Sequence, residues 1–248
     1  MICANEAHRI RGTLESVAAW TTEIVVVLND NVSDGTDKIA ESFGAKVFRE
    51  PWKGFIGQKN SAADKCTQPW LLNLDADEVV TPELQKEIAG VVNGNAAPCA
   101  AFKFPRCAFY CGRWIRHGDW YPDHVLRLWR KGQARWGAIE PHAQLDVNGR
   151  IGRLRSDLLH YTNENIERHI SKIAFNQRDF VKRRLAQDRP AGFFELVVRP
   201  PWRFFRAYIL RLGFLDGWQG YYIARLSAFS TLTKYSMLRE AWQEKQKA

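Results

Sequence analysis

Three acidic side chains follow an apolar segment in the first third of the chain. Asp75, Asp77 and Glu78 come directly after the run Trp70-Leu71-Leu72-Asn73-Leu74, whose composition predicts a buried strand. Ligands of open α/β sheets bind at the carboxyl ends of strands, and carboxylates are preferred ligands of Mg²⁺ and Mn²⁺. Two carboxylates at this spacing can hold a divalent cation, which would in turn bind a diphosphate, but the spacing alone does not outweigh the alternative. The alternative is a solvated acidic turn before a helix N-terminus, where negative charge is favourable.

Polar residues also follow other predicted strands. Asn29 and Asp30 end a β-branched run, Asn5 and Glu6 precede the first predicted helix, and Lys59 opens the helix before the acidic segment. Because the carboxyl ends of parallel strands meet at one edge of a sheet, we expect these side chains on a common rim. A nucleotide would lie along that rim.

Strand and helix patterns alternate through the first half of the chain. Strands are predicted at residues 23–28, 46–48 and 70–74. A helix is predicted to begin at Thr81-Pro82-Glu83, where an N-cap, an N1 proline and a first-turn acid follow one another. This alternation predicts an α/β fold with a Rossmann-like, mostly parallel central sheet flanked by helices. Residues 102–145 have a more strand-like pattern.

The spacing of the apolar residues changes in the second half of the chain. Residues 165–187 predict a long amphipathic helix with a basic face, and residues 202–242 predict a further helical region broken near Asp216-Gly217. We therefore expect two parts, a nucleotide-binding catalytic domain at residues 1–160 and a basic helical extension at residues 161–248.

The basic residues are concentrated at one end of the sequence. Residues 1–150 hold 18 basic and 18 acidic side chains, whereas residues 151–248 hold 18 basic and 9 acidic ones, so the second part carries the whole net charge of +9. The excess predicts an anionic partner, which is nucleic acid, a membrane surface or an acidic substrate. Residues 200–215 mix aromatic and arginine side chains, as in an interfacial segment on anionic lipid. The alternative is an appendage that packs its aromatic side chains on the sheet.

Cysteine content and apolar runs bear on the compartment. The five cysteines form an odd number without framework spacing, which argues against a disulfide-stapled secreted domain. No apolar run reaches the roughly 20 residues that cross a bilayer. Arg9 and Arg11 interrupt the start before a signal peptide could form. A reduced, cytoplasmic compartment is expected.

Ten short stretches, spread in order along nearly the whole chain, resemble one known family. They are Asn5-Glu6, Glu23-Ile24-Val25-Val26-Val27, Ser33-Asp34-Gly35-Thr36, Gly44-Ala45-Lys46-Val47-Phe48, Gln58-Lys59-Asn60, Leu74-Asp75-Ala76-Asp77-Glu78, Gly112-Arg113-Trp114-Ile115-Arg116-His117-Gly118, Trp120-Tyr121-Pro122-Asp123, Leu158-Leu159-His160-Tyr161-Thr162 and Leu212-Gly213-Phe214-Leu215-Asp216-Gly217. The chain resembles the family 2 glycosyltransferases of the GT-A fold, and within them the bacterial branch that glucosylates the inner core of lipopolysaccharide. The D-x-D element is generic, whereas the later stretches are specific to this branch.

The resemblance implies roles for the residues of the polar rim. Asn5 and Glu6 would lie beside the nucleotide, and Lys59 would approach the base or the phosphates. Asn29 and Asp30 occupy the place of the family's uracil-contacting acid. The family has its acid where this chain has Asn29, and a shift of one residue turns a strand side chain to the other face. That departure puts the role of Asp30 in question.

The resemblance also implies a metal and a reaction. Asp75 and Asp77 would hold Mg²⁺ or Mn²⁺, with Asp77 as the direct ligand, and His160 either completes the coordination shell or is a core histidine. The implied reaction is an inverting transfer of glucose from a UDP-sugar to a lipopolysaccharide core or similar glycolipid acceptor, with the metal stabilising the departing diphosphate. The implied place is the anionic cytoplasmic face of the inner membrane.

An inverting transfer needs a carboxylate that removes the proton of the acceptor hydroxyl. The family has a Val-His-Glu element where this chain has Pro-His-Ala at residues 141–143, so that carboxylate is missing. Asp123 and Glu140 are the candidate bases, and Asp123 is preferred because its whole motif is intact. His142 matches the family but carries no carboxylate.

Departures from the family pattern leave alternatives open. Asp123 could pair with Arg127 or Arg116 and only shape its loop. Asn29 and Ala143 favour a degenerate relative that binds nucleotide without catalysis. A nucleic-acid-binding module is the remaining alternative, but no recognisable nucleic-acid motif occurs and the acidic rim would repel phosphate.

The family begins with an apolar strand before the Asn-Glu element. Here only Met1-Ile2-Cys3-Ala4 precede Asn5, whereas a strand averages about 5–6 residues. The natural start is therefore expected upstream of Met1.

Overall fold

The computed structural model describes residues 1–94, 99–137, 143–163 and 165–247. The fold is of the mixed α/β type, and its contacts divide the chain into two compact units. The first unit contains Met1–Arg106 and Asp123–His160, and the second contains Cys107–Pro122 and Tyr161–Ala248. The predicted domains were residues 1–160 and 161–248. In the structure, the segment Cys107–Pro122, which falls in the first predicted range, belongs to the second unit.

The first unit alternates strands and helices up to its fourth helix and then consists of strands. Its elements are β1 (Ile2–Cys3), α1 (Ile10–Glu15), β2 (Val25–Asn29), α2 (Thr36–Ser42), β3 (Lys46–Glu50), α3 (Gly54–Lys65), β4 (Trp70–Leu72), β5 (Glu78–Val80), α4 (Pro82–Asn93), β6 (Cys99–Tyr110), β8 (Asp123–Arg130), β9 (Ala134–Gly137), β10 (Gln144–Val147), β11 (Arg150–Arg153) and β12 (Leu158–Asn163), with β6 and β12 continuing into the second unit.

The predicted parallel strands form a sheet of their own. β1, β2 and β3 pair in parallel in that order, with Ile2 opposite Val27 and Val25 opposite Lys46. The side chains of Val26, Val27 and Leu28 are fully buried, as expected for a strand covered on both faces. The sequence pattern thus located β2 and β3 within two residues of their observed ends.

A seven-stranded, mainly antiparallel sheet contains most of the other strands, whereas β9 and β10 form a separate antiparallel pair. The strand order of the larger sheet is β4-β8-β6-β12-β5, with β11 and β7 (Arg113–Ile115) also paired to β6. The pairs β4–β8, β6–β8 and β5–β12 are antiparallel, and β6–β11 is parallel. The prediction of a mostly parallel sheet therefore describes β1–β3 only. Periodicity shows that a segment is a strand, but the direction of its partner depends on contacts distant in sequence.

Helix α1 connects the parallel sheet with the acidic segment. Ile10 and Leu14 are fully buried in the apolar cluster of that sheet. Thr13 is also buried and donates a hydrogen bond from Oγ1 to the carbonyl of Ala76, at 2.8 Å. The N-cap predicted at Thr81 is present, because Thr81 Oγ1 accepts a hydrogen bond from the amide of Leu84 at the start of α4.

The second unit is largely helical. It contains β7 (Arg113–Ile115), the 3₁₀ turns Gly118–Trp120 and Gly213–Asp216, the helices α5 (Ile166–Ala186), α6 (Arg199–Phe205) and α7 (Gly217–Lys247), and the π-helical segments Phe194–Val198 and Arg206–Leu210. Helices α5 and α7 pack together around the buried side chains of Val181, Tyr235 and Leu238. No helix in the described part of the chain is long and apolar enough to span a bilayer.

Two stretches that are distant in sequence meet in the second unit. Asp216 is buried, and its Oδ2 accepts hydrogen bonds from the backbone amides of Arg116 and His117, at 3.0 and 2.8 Å. Its Oδ1 lies 3.0 Å from His117 Nδ1. The Gly112–Gly118 and Leu212–Gly217 stretches are therefore parts of one substructure.

Candidate functional site

The acidic segment that follows β4 is held in place by backbone hydrogen bonds. The amide of Asp75 donates to Glu78 Oε2 at 3.0 Å, and the carbonyl of Ala76 accepts from Thr13. Glu78 begins β5, where it lies opposite His160 of β12 in the antiparallel ladder. Strand pairing on one side and helix α1 on the other thus fix the positions of Asp75 and Asp77.

Arg127 neutralises one side of this acidic segment. It lies on β8 directly before Leu128, the residue opposite Leu72 of β4. Its guanidinium donates to Asn73 Oδ1 at 3.0 Å, to Glu78 Oε1 at 2.8 Å and to Asp75 Oδ2. Arg127 and Glu78 are both buried, so each charge depends on the other for compensation.

Lys59 approaches Asp75 from helix α3. Its Nζ lies 3.2 Å from Asp75 Oδ1 and 4.6 Å from the ring centroid of Trp136. Asn60 fixes that tryptophan, because its side chain donates to the Trp136 carbonyl at 2.9 Å and accepts from the Trp136 amide at 3.0 Å. The Gln-Lys-Asn stretch thus supplies a cation and the residue that positions a ring beneath it.

Burial and neighbouring charge act in opposite directions on the pKa values here. Burial alone would raise the pKa of Asp75, but Arg127 and Lys59 hold it well below its ordinary value. Burial lowers the pKa of Lys59, and Asp75 counteracts that effect. Asp75 is therefore ionised at neutral pH and is already paired with two cations.

Asp77 has a different set of partners. Its Oδ2 lies 3.5 Å from His160 Nε2 and 3.7 Å from Arg9 Nη1. Burial opposes ionisation of Asp77, but His160 and Arg9 lower its pKa. Asp77 and His160, which were predicted as metal ligands, are thus adjacent, whereas Asp75 faces Arg127 and Lys59. In the described part of the chain, no group of three or more His, Cys, Asp or Glu side chains is arranged for a metal ion. Metal ligation by Asp75, Asp77 and His160 stays a prediction.

The remaining rim residues lie at the ends of β1 and β2. Asn5 Oδ1 accepts a hydrogen bond from the Ser33 amide at 3.1 Å, and the Glu6 amide donates to Thr36 Oγ1 at 2.9 Å. Asn29 is half-buried, and its Oδ1 has no hydrogen-bond partner among the described residues. Asp30 is exposed to solvent. The side chains of Asn29 and Asp30 therefore have different surroundings, as strand alternation predicts.

Asp123 pairs with an arginine other than the predicted ones. Arg106 donates from Nε and Nη2 to Asp123 Oδ2, at 3.0 and 2.6 Å, and its Nη1 donates to Glu78 Oε1 at 3.1 Å. The partner is neither Arg127 nor Arg116, which the alternative interpretation had named, because β8 is antiparallel to β6 and places Asp123 opposite Arg106. The other two base candidates, Glu140 and His142, lie outside the described residues.

Lys59 was predicted at the site, but three arginines beside the acidic segment were not. Arg9 directly precedes α1, whereas Arg106 and Arg127 lie on β6 and β8, and none of the three follows a predicted strand of the polar rim. A signal was present for Arg127, since an arginine between apolar residues of a strand requires a buried partner. The identity of that partner depends on strand register, which the local sequence does not contain.

A model of the family described as glycosyl transferase family 2 matches residues 1–162 of the chain. An uncharacterized glycosyltransferase of Rickettsia typhi is 30% identical over 250 residues, which cover 97% of this chain and 85% of that relative. The lipopolysaccharide core biosynthesis glycosyltransferase LpsC of Rhizobium meliloti is 25% identical over 251 residues, covering 96% of this chain and 92% of LpsC.

Solved structures provide an independent comparison of the fold. The crystal structure of S. aureus TarS 1–349 in complex with UDP-GlcNAc superimposes with a TM-score of 0.52 and 15% identity. The superposition covers 98% of this chain and 90% of the TarS chain. Together with the match of the family model to more than half of the sequence, these comparisons identify the protein: the chain belongs to glycosyl transferase family 2 and has the α/β fold of the GT-A type.

Proposed function

We propose that this glycosyltransferase moves a sugar from a UDP-sugar, with inversion, to a lipopolysaccharide core or a similar glycolipid acceptor. The observation that carries the proposal is the arrangement around Asp75 and Asp77. Two ionised carboxylates lie at the end of a strand, and Arg127, Lys59 and Arg9 lie within 4 Å of them. A polyanionic nucleotide requires such a site, because fixed cations and a divalent ion can together bind a diphosphate.

The donor set at Asp77 suits a divalent cation. Two ligands of one octahedral ion lie about 3 Å apart, and Asp77 Oδ2 and His160 Nε2 are separated by 3.5 Å. A carboxylate suits both Mn²⁺ and Mg²⁺, and an imidazole suits Mn²⁺ better than Mg²⁺. Mg²⁺ at this site would therefore keep more water ligands. We assign Asp77 and His160 as the protein ligands and give Asp75 a supporting charge. Such an ion would stabilise the negative charge of the leaving diphosphate.

Other residues near the site are candidates for nucleotide binding. Lys59 is held against Asp75 and the Trp136 ring, so its ammonium is positioned without being fully neutralised. Asn5 and Glu6 border the same edge of the parallel sheet on the loop after β1. We assign Asn5, Glu6 and Lys59 to nucleotide binding, with Asn29 in the place of the uracil-contacting acid.

Asp123 is our candidate for the general base. Arg106 contacts only Oδ2 of its carboxylate, and Oδ1 has no hydrogen bond within the described ranges of the chain. The side chain is 46% exposed. Arg106 therefore fixes the orientation of the carboxylate while one oxygen faces solvent, where an acceptor hydroxyl could donate its proton.

The donor and the acceptor are proposed from two different observations. UDP-glucose is proposed from the motif stretches that resemble the lipopolysaccharide branch. The lipopolysaccharide core is proposed as acceptor because LpsC, a relative over nearly the full chain, is named for that role.

A turnover assay tests the proposal. The chain is incubated with UDP-glucose, UDP-galactose or UDP-GlcNAc, truncated lipopolysaccharide core, and either Mn²⁺ or EDTA, and released UDP is measured by chromatography. We expect UDP release that requires Mn²⁺, with UDP-glucose the best donor. UDP release that is unchanged by EDTA would refute the metal assignment. If UDP binds and no donor turns over, the chain is a nucleotide-binding relative without transferase activity.

A further inference from the structure

The second unit exposes an unusual amount of apolar surface. The described residues include 21 large apolar side chains that are exposed to solvent, and 13 of them lie between residues 193 and 221. Single exposed apolar side chains are normal on a protein surface, whereas a concentrated patch marks a site of interaction. This patch therefore requires an explanation.

The patch has helical spacing. Residues 194–210 form one continuous helical run, made of a π-helical segment, α6 and a second π-helical segment. Six apolar side chains recur along it and just beyond it at intervals of three or four residues, and each is 40–55% exposed: Phe194, Val198, Trp202, Phe205, Ile209 and Leu212. We call these six residues the apolar stripe. A helix of a water-exposed surface normally has its apolar stripe turned towards the core, and here the stripe is turned outwards.

The apolar surface continues beyond the stripe. Phe214, Leu215 and Trp218 follow in the next turn and at the start of α7, at 44%, 48% and 56% exposure. Within the stripe, the rings of Trp202 and Phe205 lie 5.9 Å apart. A run of 19 residues from Phe194 to Leu212 would extend about 27 Å at the rise of an α-helix. The surface is thus long enough to contact many lipid molecules.

Three arginines accompany the stripe. Arg203 Nε and Arg206 Nη2 lie 2.9 and 2.8 Å from Asp119 Oδ2, and Arg211 Nη1 lies 3.1 Å from Asp119 Oδ1. The carboxylate is buried, but the arginine side chains are 33–49% exposed. One carboxylate cannot neutralise three guanidinium groups, so the cluster keeps a positive charge. Their exposed N–H groups suit phosphate oxygens.

We propose that the apolar stripe and the arginines around Asp119 form a surface that docks on an anionic lipid membrane. Aromatic and aliphatic side chains would enter the headgroup region, and Arg203, Arg206 and Arg211 would bind lipid phosphates. The net charge of +9, carried by residues 151–248, also attracts an anionic membrane, and it acts over a longer range than direct contacts do.

The arginines favour a membrane over a second copy of the chain as the occupant. A two-fold interface places the same patch of both copies face to face. Arg203, Arg206 and Arg211 would then lie near their own symmetry mates, and like charges repel most strongly where water is excluded. An anionic bilayer covers the apolar stripe and neutralises the arginines at once.

Vesicle co-sedimentation of the full chain tests this proposal independently of any UDP-sugar chemistry. Vesicles of phosphatidylcholine alone are compared with vesicles that contain about one-third phosphatidylglycerol. We expect binding only to the anionic vesicles, with a decrease as NaCl is raised. The double variant Trp202→Ser/Phe205→Ser should lose about tenfold in affinity, and Arg211→Gln should weaken the dependence on salt.

A matched control uses the first unit. Trp52 and Phe55 are also an exposed aromatic pair, at 49% and 44% exposure, with ring centroids 4.9 Å apart. Trp52→Ser/Phe55→Ser should bind anionic vesicles like the parent chain. Both double variants replace exposed side chains, so their thermal unfolding should match that of the parent chain. Equal binding to neutral vesicles, or unchanged binding of Trp202→Ser/Phe205→Ser, would overturn the proposal. A dimer that dissociates in that variant would show instead that the stripe joins two copies.

Discussion

Arg127 and Glu78 form an ion pair that is almost fully removed from solvent. Arg127 Nη2 lies 2.8 Å from Glu78 Oε1, with side-chain exposures of 7% and 0%. The same nitrogen contacts Asp75, so one guanidinium on β8 aligns the strand-end carboxylates on which the proposed nucleotide site depends. The site is therefore positioned by a residue about fifty positions later in the sequence.

Replacing Arg127 should destabilise the first unit strongly. In Arg127→Met, Glu78 keeps Arg106 but loses its buried partner, and removal of one member of a buried pair costs about 3–5 kcal/mol. Urea denaturation measures the change in the free energy of unfolding. Arg135→Met is the control, because the Arg135–Asp64 pair is exposed on both sides and should contribute less than about 1 kcal/mol. Similar losses in the two variants would contradict the importance assigned to the buried pair.

Glu50 should make stability depend on pH in acid. It accepts hydrogen bonds from Lys65, Ser61 and Lys53, which lower its pKa from the ordinary 4.5 to about 2. Because the folded pKa lies below the unfolded one, this stabilisation is fully present above about pH 4.5 and is lost as pH falls towards 2.

Denaturation of Glu50→Gln at several pH values tests that statement. The variant should lose about 1–2 kcal/mol of stability at pH 6 and progressively less below pH 4. Glu41 is an exposed acid on the neighbouring helix α2, so Glu41→Gln should follow the parent chain at every pH. A loss in Glu50→Gln that stays constant from pH 6 to pH 2.5 would show that the carboxylate charge is not the cause.

Local sequence was sufficient for some parts of the fold and insufficient for others. The apolar run of β2 and the acids after β4 were located correctly, because period and composition are properties of neighbouring residues. The partners of Asp75 and Asp123 were not, because they depend on the register between β8 and its neighbours β4 and β6. The antiparallel arrangement of the strands in the larger sheet could not be predicted for the same reason.

The kinetics of two variants distinguish Asp123 from Glu140 as the general base. Asp123→Asn preserves an acceptor for Arg106 and removes basicity, so it should lower kcat about 10²-fold or more while the KM for the UDP-sugar changes little. Steady-state kinetics with the acceptor in excess gives both constants. If Asp123→Asn turns over normally and Glu140→Gln is inactive, the base is Glu140. If both variants are active, the proton is removed by another group.

Calorimetric titration of UDP into the chain measures whether Asp77 and its neighbours hold a metal-bound UDP group. With Mn²⁺ present, the parent chain and the control Asp64→Asn, which changes an exposed acid, should bind UDP with equal affinity. EDTA, or the substitution Asp77→Asn, should weaken binding at least about tenfold through loss of the metal's charge. If the parent chain does not bind UDP, or if Asp77→Asn binds UDP in the presence of Mn²⁺ as tightly as the parent chain does, the assignment of Asp77 to a metal-bound UDP site is wrong.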